Sequence, residues 1–151
     1  MDPKTLELLE FHKIREMLAR EADTEFGRRR ALEAVPVSTT LAREEQKLGR
    51  ELVEVLSRHA SPSLAGASDV RAKVAAAAQG VVLHPTDLRR ILDTVLVMES
   101  LSRWLEGVSD DYPGLSRLRA KIPAVPELRS RLYETVDVDG KVCPGVRVSW
   151  G

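Results

Sequence analysis

The chain has 151 residues, enough for one domain with a core or for two closely joined helical lobes. Its 23 basic and 23 acidic residues cancel, so no global field draws it to nucleic acid, and any such contact must be a local patch. The single Cys143 excludes an internal disulfide framework and a cysteine-based zinc site.

Aromatic residues make up only 4% of the chain, so the core has to be built from Leu, Val, Ile and Ala, which favours helix on helix. No apolar run approaches the roughly 18 residues of a membrane span, and the N-terminus lacks a signal-peptide pattern, so a cytoplasmic location is expected. Arg far outnumbers Lys, Asn is absent, and Gln occurs only at Gln46 and Gln79. Depletion of thermolabile amides points to a thermophilic source, and an Arg-rich, GC-rich genome is the alternative explanation of the same bias.

Taken in chain order, the first predicted helix runs from Pro3 to Ala22, capped by Asp2, with Leu6, Leu9, Phe11, Ile14, Leu18 and Ala22 as its apolar stripe. Thr24 caps a shorter helix that reaches Ala34 and is stopped by Pro36, and the two read as a helical hairpin. Ser38, Thr39 and Thr40 offer caps for a third helix from Thr40 to Arg58, on which Glu51 faces Val55 rather than a partner charge. Ser61 to Gly66 is a loop. A helix from Asp69, capped by Ser68, ends at Gly80. The longest helix runs from Pro85 to Leu105 and buries Leu88, Ile91, Leu92, Val95, Met98 and Leu101. After the turn at Asp110 to Gly114, two short helices cover Leu115 to Lys121 and Pro126 to Val136. Val136 to Val142 alternates around Asp139-Gly140, a hairpin signal, and Cys143 to Gly151 is an extended piece or a tail. The fold class is all-α, a bundle of six to seven helices in one or two lobes with a short extended or hairpin tail.

Complete catalytic constellations are absent. There is no Gly-Lys-Ser/Thr phosphate loop and no nucleophile-elbow serine. His12, His59 and His84 lie in three segments without ligand spacing and read as surface or boundary residues, so no metal site is expected. Glu44-Glu45 and Asp110-Asp111 are sequence neighbours that do not converge on one bond, and Cys143 lacks a group to stabilise its thiolate. No catalytic residue and no cofactor are assigned to this chain.

Basic clusters are the candidate nucleic-acid contacts. Arg28-Arg29-Arg30 spreads over about 200 degrees of helix, with Glu25 and Glu33 close by. Arg117, Arg119, Lys121, Arg129 and Arg131 face only Glu127 as an opposing charge, and two short helices joined by a proline turn would present them as a phosphate-contacting edge. For both clusters a solvated charged face weighs more than phosphate contact, and by a wider margin for the arginine run.

Leu9-Glu10-Phe11-His12-Lys13-Ile14, then Thr24, Gly27-Arg28 and Pro36, resemble the opening of the type-two bacterial MutS family. Gly80-Val81-Val82-Leu83-His84-Pro85, Asp111-Tyr112-Pro113, Ile122-Pro123-Ala124-Val125-Pro126-Glu127-Leu128 and Val136 to Val142 follow in the same order, so the similarity spans residues 4 to 142. The resemblance implies an N-terminal helical core domain over 1–142, acting as clamp and lever for an ATPase and a small nuclease domain outside these residues. It implies ATP and Mg²⁺ in that parent protein. As partners it implies branched DNA or ribosomal RNA, the rest of the MutS-like chain and a homodimer, with suppression of recombination and splitting of collided ribosomes as the associated roles. Residues 143–151 depart from the family pattern, as a truncation, a changed reading frame or appended sequence would make them. The alternative is a structural or dimerisation module with no nucleic-acid contact of its own, recognisable by a leftover apolar face.

Overall fold

The structure, a computed structural model, describes residues 10–144. Among them are seven helices: α1 (Phe11–Arg20), α2 (Glu25–Leu32), α3 (Thr39–Arg58), α4 (Arg71–Ala78), α5 (Pro85–Val108), α6 (Pro113–Arg119) and α7 (Pro126–Thr135). There is no named strand among the described residues, so the chain is all-α. It divides into two compact units, the first comprising Met1–Ser61 and Leu105–Leu118 and the second Pro62–Trp104 and Arg119–Gly151.

In the first unit, α1 and α2 pack as the expected hairpin. Glu10, immediately before α1, has φ 51°, a left-handed conformation that costs a non-glycine residue about a kcal/mol or more. The predicted run from Pro3 to Ala22 is therefore not one uninterrupted helix; its Asp2 cap, Leu6 and Leu9 lie outside the described residues. Thr24 does cap α2, its hydroxyl accepting the Gly27 N–H at 3.0 Å. A side chain at Gly27 would meet Ala22 and Thr24 at 3.2 Å, so the small residue lets this turn close. Arg15 stacks over the Phe11 ring at 5.5 Å and donates to the Ala34 carbonyl, joining the start of the hairpin to its end. Ser38 caps α3 through the Leu41 N–H. The buried apolar residues of this unit are Ala19, Ala31, Val55, Leu105 and Leu115. On the predicted apolar stripe of α1, Ile14 and Leu18 are each 56% exposed, as is the nearby Met17 at 66%, whereas Ala19 is buried.

The second unit has a continuous core. Ile91, Leu92 and Val95 of α5 pack with Leu132 and Val136, and Val70, Leu83, Leu88, Leu96 and Val125 close around them. Leu92 is fully buried, a burial that stabilises by about 1.5–3 kcal/mol. Met98 and Leu101, predicted in the buried face, are half-buried. Ser68 is not a helix cap: its N–H donates to the Thr94 hydroxyl on α5 at 3.2 Å, and α4 starts at Arg71 without a side-chain cap. Gly80 ends α4 in a left-handed conformation, φ 82°, with the Gly80 and Val81 N–H groups returning to Ala77 and Ala76. Pro113 and Gly114, predicted as turn, instead open α6 in the first unit, consistent with the tolerance of proline in a first helical turn.

The Asp-Gly signal corresponds to a real turn. Val136 and Val142 form an isolated antiparallel bridge, and the Asp137 carboxylate accepts the Asp139 and Lys141 N–H groups at 2.9 and 2.8 Å. Gly140 has φ 72°, and a Cβ added there would lie 3.6 Å from Thr86 and Arg89. Of the predicted tail, residues 145–151 lie outside the described residues.

Candidate nucleic-acid interface

The positions of the candidate basic residues follow from these elements. Arg28, Arg29 and Arg30 are all exposed on α2. Arg28 borders a shallow depression shared with Glu16, Ala19, Arg20 and Leu32. Arg20 is thus a second guanidinium beside Arg28 that was not among the predicted contacts. Its signal was the hairpin: antiparallel pairing of α1 and α2 brings the end of one helix to the body of the next.

The larger cluster is not a single surface of one unit. Arg117, exposed on α6, belongs to the first unit, whereas Arg119, Lys121, Arg129 and Arg131 belong to the second. Arg119 ends α6 half-buried, its carbonyl accepting the Ile122 N–H at 2.9 Å. That bond closes the turn, so Lys121 follows the helix instead of ending it, and it is exposed. Arg129 is engaged within its own unit, donating to Glu99 of α5 at 3.1 Å. Arg131 is exposed and edges a shallow depression with Pro126, Glu127 and Ser130. Glu127 sits one turn before Arg131 on α7 and opposes its charge, as the spacing predicts.

Chemically, exposed guanidinium and ammonium groups are donors suited to phosphate oxygens. His12, His59 and His84 are exposed, and His84 Nδ1 is 2.8 Å from the Thr86 hydroxyl at the start of α5. Glu44, Glu45, Asp110 and Asp111 are exposed. Among the described residues no three His, Cys, Asp or Glu side chains are grouped to hold a metal ion. Nor is any described helix long and apolar enough to cross a membrane. Cys143 is a free, half-buried thiol whose N–H donates to the Thr135 carbonyl.

Buried carboxylate chemistry was missed by the sequence reading. Glu51, 8% exposed, shares the inward face of α3 with Val55, and its Oε2 accepts the Leu115 N–H at 3.1 Å. Glu54, three residues on, hydrogen-bonds Tyr112, whose phenol is held above its ordinary value of 10.0 by desolvation first, then by that hydrogen bond and charge.

No family model matches the chain. Curated relatives do, along nearly its whole length. It is 36% identical over 146 residues to the endonuclease MutS2 of Symbiobacterium thermophilum, and 34% identical over 149 residues to that of Thermomicrobium roseum, each match covering 94% of this chain. The endonuclease MutS2 of Pelotomaculum thermopropionicum is 28% identical across 96% of the chain. The chain spans only 18–19% of the length of these relatives.

Proposed function

Because this chain belongs to the type-two bacterial MutS family, we propose that it is the non-catalytic core, over residues 1–142, of a MutS-like DNA-binding ATPase and endonuclease. The observation that carries this reading is similarity along 94% of the chain to proteins more than five times its length, whose endonuclease chemistry has room to lie elsewhere. ATP, Mg²⁺ and the nuclease then belong to other parts of the parent protein, in the cytoplasm. The core works as clamp wall and lever, moved by nucleotide state, and holds phosphate backbone without reading bases. Exposed Arg117, Lys121 and Arg131 are the preferred contacts, followed by Arg28, Arg29 and Arg30. Arg129 contributes only after leaving Glu99, and Arg119 only after leaving its half-buried position.

The test is binding of the chain to a labelled four-way DNA junction, a matched linear duplex and a folded ribosomal RNA fragment across a salt series. Preference for a branched substrate that weakens steeply between roughly 50 and 200 mM salt is expected. Reversing Arg117, Lys121 and Arg131 to Glu together should abolish it. No binding to any of the three at low salt removes phosphate contact from the reading.

A second reading, a structural or dimerisation module, is supported by the apolar surface of the first unit, where Ile14, Met17 and Leu18 lie together on α1. Packing of these side chains on the rest of a MutS-like chain or on a second copy accounts for their exposure. Sedimentation of the isolated chain tests it: concentration-dependent association, lost in Leu18→Glu, supports the module, and a monomer throughout removes self-association.

A further inference from the structure

We propose that Glu51 is a tertiary latch that holds α6 against α3, and that its release frees α6 while the rest of the chain stays folded. The first helical turn of any helix leaves backbone N–H groups without an intrahelical partner. A neighbouring Ser, Thr, Asp or Asn normally takes one of them. Here the residues before α6 are Asp111 and Tyr112, and it is Glu51, 64 residues away in sequence, that accepts the Leu115 N–H through Oε2. The carboxylate also sits at the positive end of the helix dipole, so its charge adds to the hydrogen bond.

Three further observations bear on this contact. Glu51 is 8% exposed and Leu115 is fully buried, so a lost acceptor would not be replaced freely by water. Gly114 is shaped to it: a Cβ there would lie 2.5 Å from Glu51 Oε2 and 3.2 Å from Leu48 Cδ1. Glu54, on the same face of α3, is close enough to disfavour the phenolate of Tyr112 just before α6. α6 has only seven residues, too few to persist as a helix without tertiary support. It also closes the first unit, since the chain passes to the second after Leu118. A latch at this point fixes where that unit ends.

Residue-resolved amide exchange on the full chain tests the latch. Glu51→Leu keeps the buried volume and removes the acceptor; the Leu115 amide should exchange about ten- to a hundredfold faster, while Val136, bonded to Leu132 in the other unit, keeps its protection. Glu51→Gln retains an acceptor oxygen without the charge and should fall between. Gly114→Ala, which must displace the carboxylate, should accelerate Leu115 to a similar degree, and combining it with Glu51→Leu should add little more, because both break one contact. Unchanged Leu115 exchange in Glu51→Leu and in Gly114→Ala would overturn the proposal. So would loss of Val136 protection in Glu51→Gln together with Gly114→Ala, since the carboxylate would then support the whole fold and not a separable helix.

Discussion

The second unit buries Ile91, Leu92, Val95, Leu132 and Val136 in one cluster, whereas the first buries Val55, Leu105 and Leu115 but leaves Ile14, Met17, Leu18 and Val53 more than half exposed. The difference lies in what each apolar stripe meets. α5 meets α7 and the turn after it, so its stripe is covered on the spot. α1 meets α2 through alanines, and two helices in close contact cover only one side of each other. Helical periodicity thus establishes that a face is apolar, not that the same chain covers it. Both units bury side chains of their own, Val55, Leu105 and Leu115 in the first and Leu92, Leu132 and Val136 in the second, but the first also leaves the apolar stripe of α1 exposed.

That contrast breaks most directly at its largest expected effect. Leu92→Ala should lose about 2–5 kcal/mol in denaturant unfolding, from lost burial plus a cavity. Leu18→Ala, in the exposed stripe, should stay within about 0.5 kcal/mol. Comparable losses at both positions, measured at low and high protein concentration, would mean that the α1 face is covered in solution. Next in size is Thr24→Ala, which removes the cap of α2 and should cost about 0.5–2 kcal/mol, with a fall in helical circular dichroism. A larger loss there than at Leu92 would show that local capping, not burial, dominates stability even in the chain as a whole.

Much of the fold was legible because it depends on local chemistry. Thr24, Ser38, Gly80, Pro85 and Asp139-Gly140 act where the sequence places them, since a cap, a helix stop or a turn needs only its immediate neighbours. The misreadings share a cause in tertiary structure. Ser68 has cap chemistry, but its hydroxyl lies beside that of Thr94 and the helix starts only at Arg71. Glu51 reads as an ordinary carboxylate until Leu115 arrives from 64 residues away. In the candidate interface, charge and spacing marked the basic residues. They did not reveal that Glu99 pairs with Arg129, that Arg20 lies beside Arg28, or that Arg117 falls in a different unit from Arg131. Side chains that act alone can be read from a window of sequence; pairs cannot.

Arg129 and Glu99 supply a smaller test inside the well-packed unit. Their side chains are 43% and 25% exposed, so the ion pair should contribute no more than about 1 kcal/mol and weaken with salt. A double-mutant cycle with Arg129→Met and Glu99→Gln measures it. If Glu99→Gln also strengthens junction binding, the pair is what withholds Arg129 from phosphate; if binding is unchanged, Arg129 is structural and leaves the candidate interface.

The smallest expected effect lies in the first unit, at Tyr112. Its phenol ionises above the ordinary value of 10.0 because partial desolvation, and then the Glu54 hydrogen bond and charge, disfavour the phenolate. The folded chain consequently keeps this proton at a pH where the unfolded chain has released it. The associated stabilisation is present in full below pH 10.0 and is lost as pH rises through the higher folded value. Ultraviolet titration of Tyr112, with Tyr133→Phe to leave one tyrosine, should show the midpoint move down in Glu54→Gln, because that variant removes the charge and weakens the hydrogen bond. It should not return fully to 10.0, since desolvation is the larger cause and remains. A midpoint that does return would make Glu54, not burial, the dominant influence, and would place the first unit's order in its polar contacts even at a residue that is half out of water.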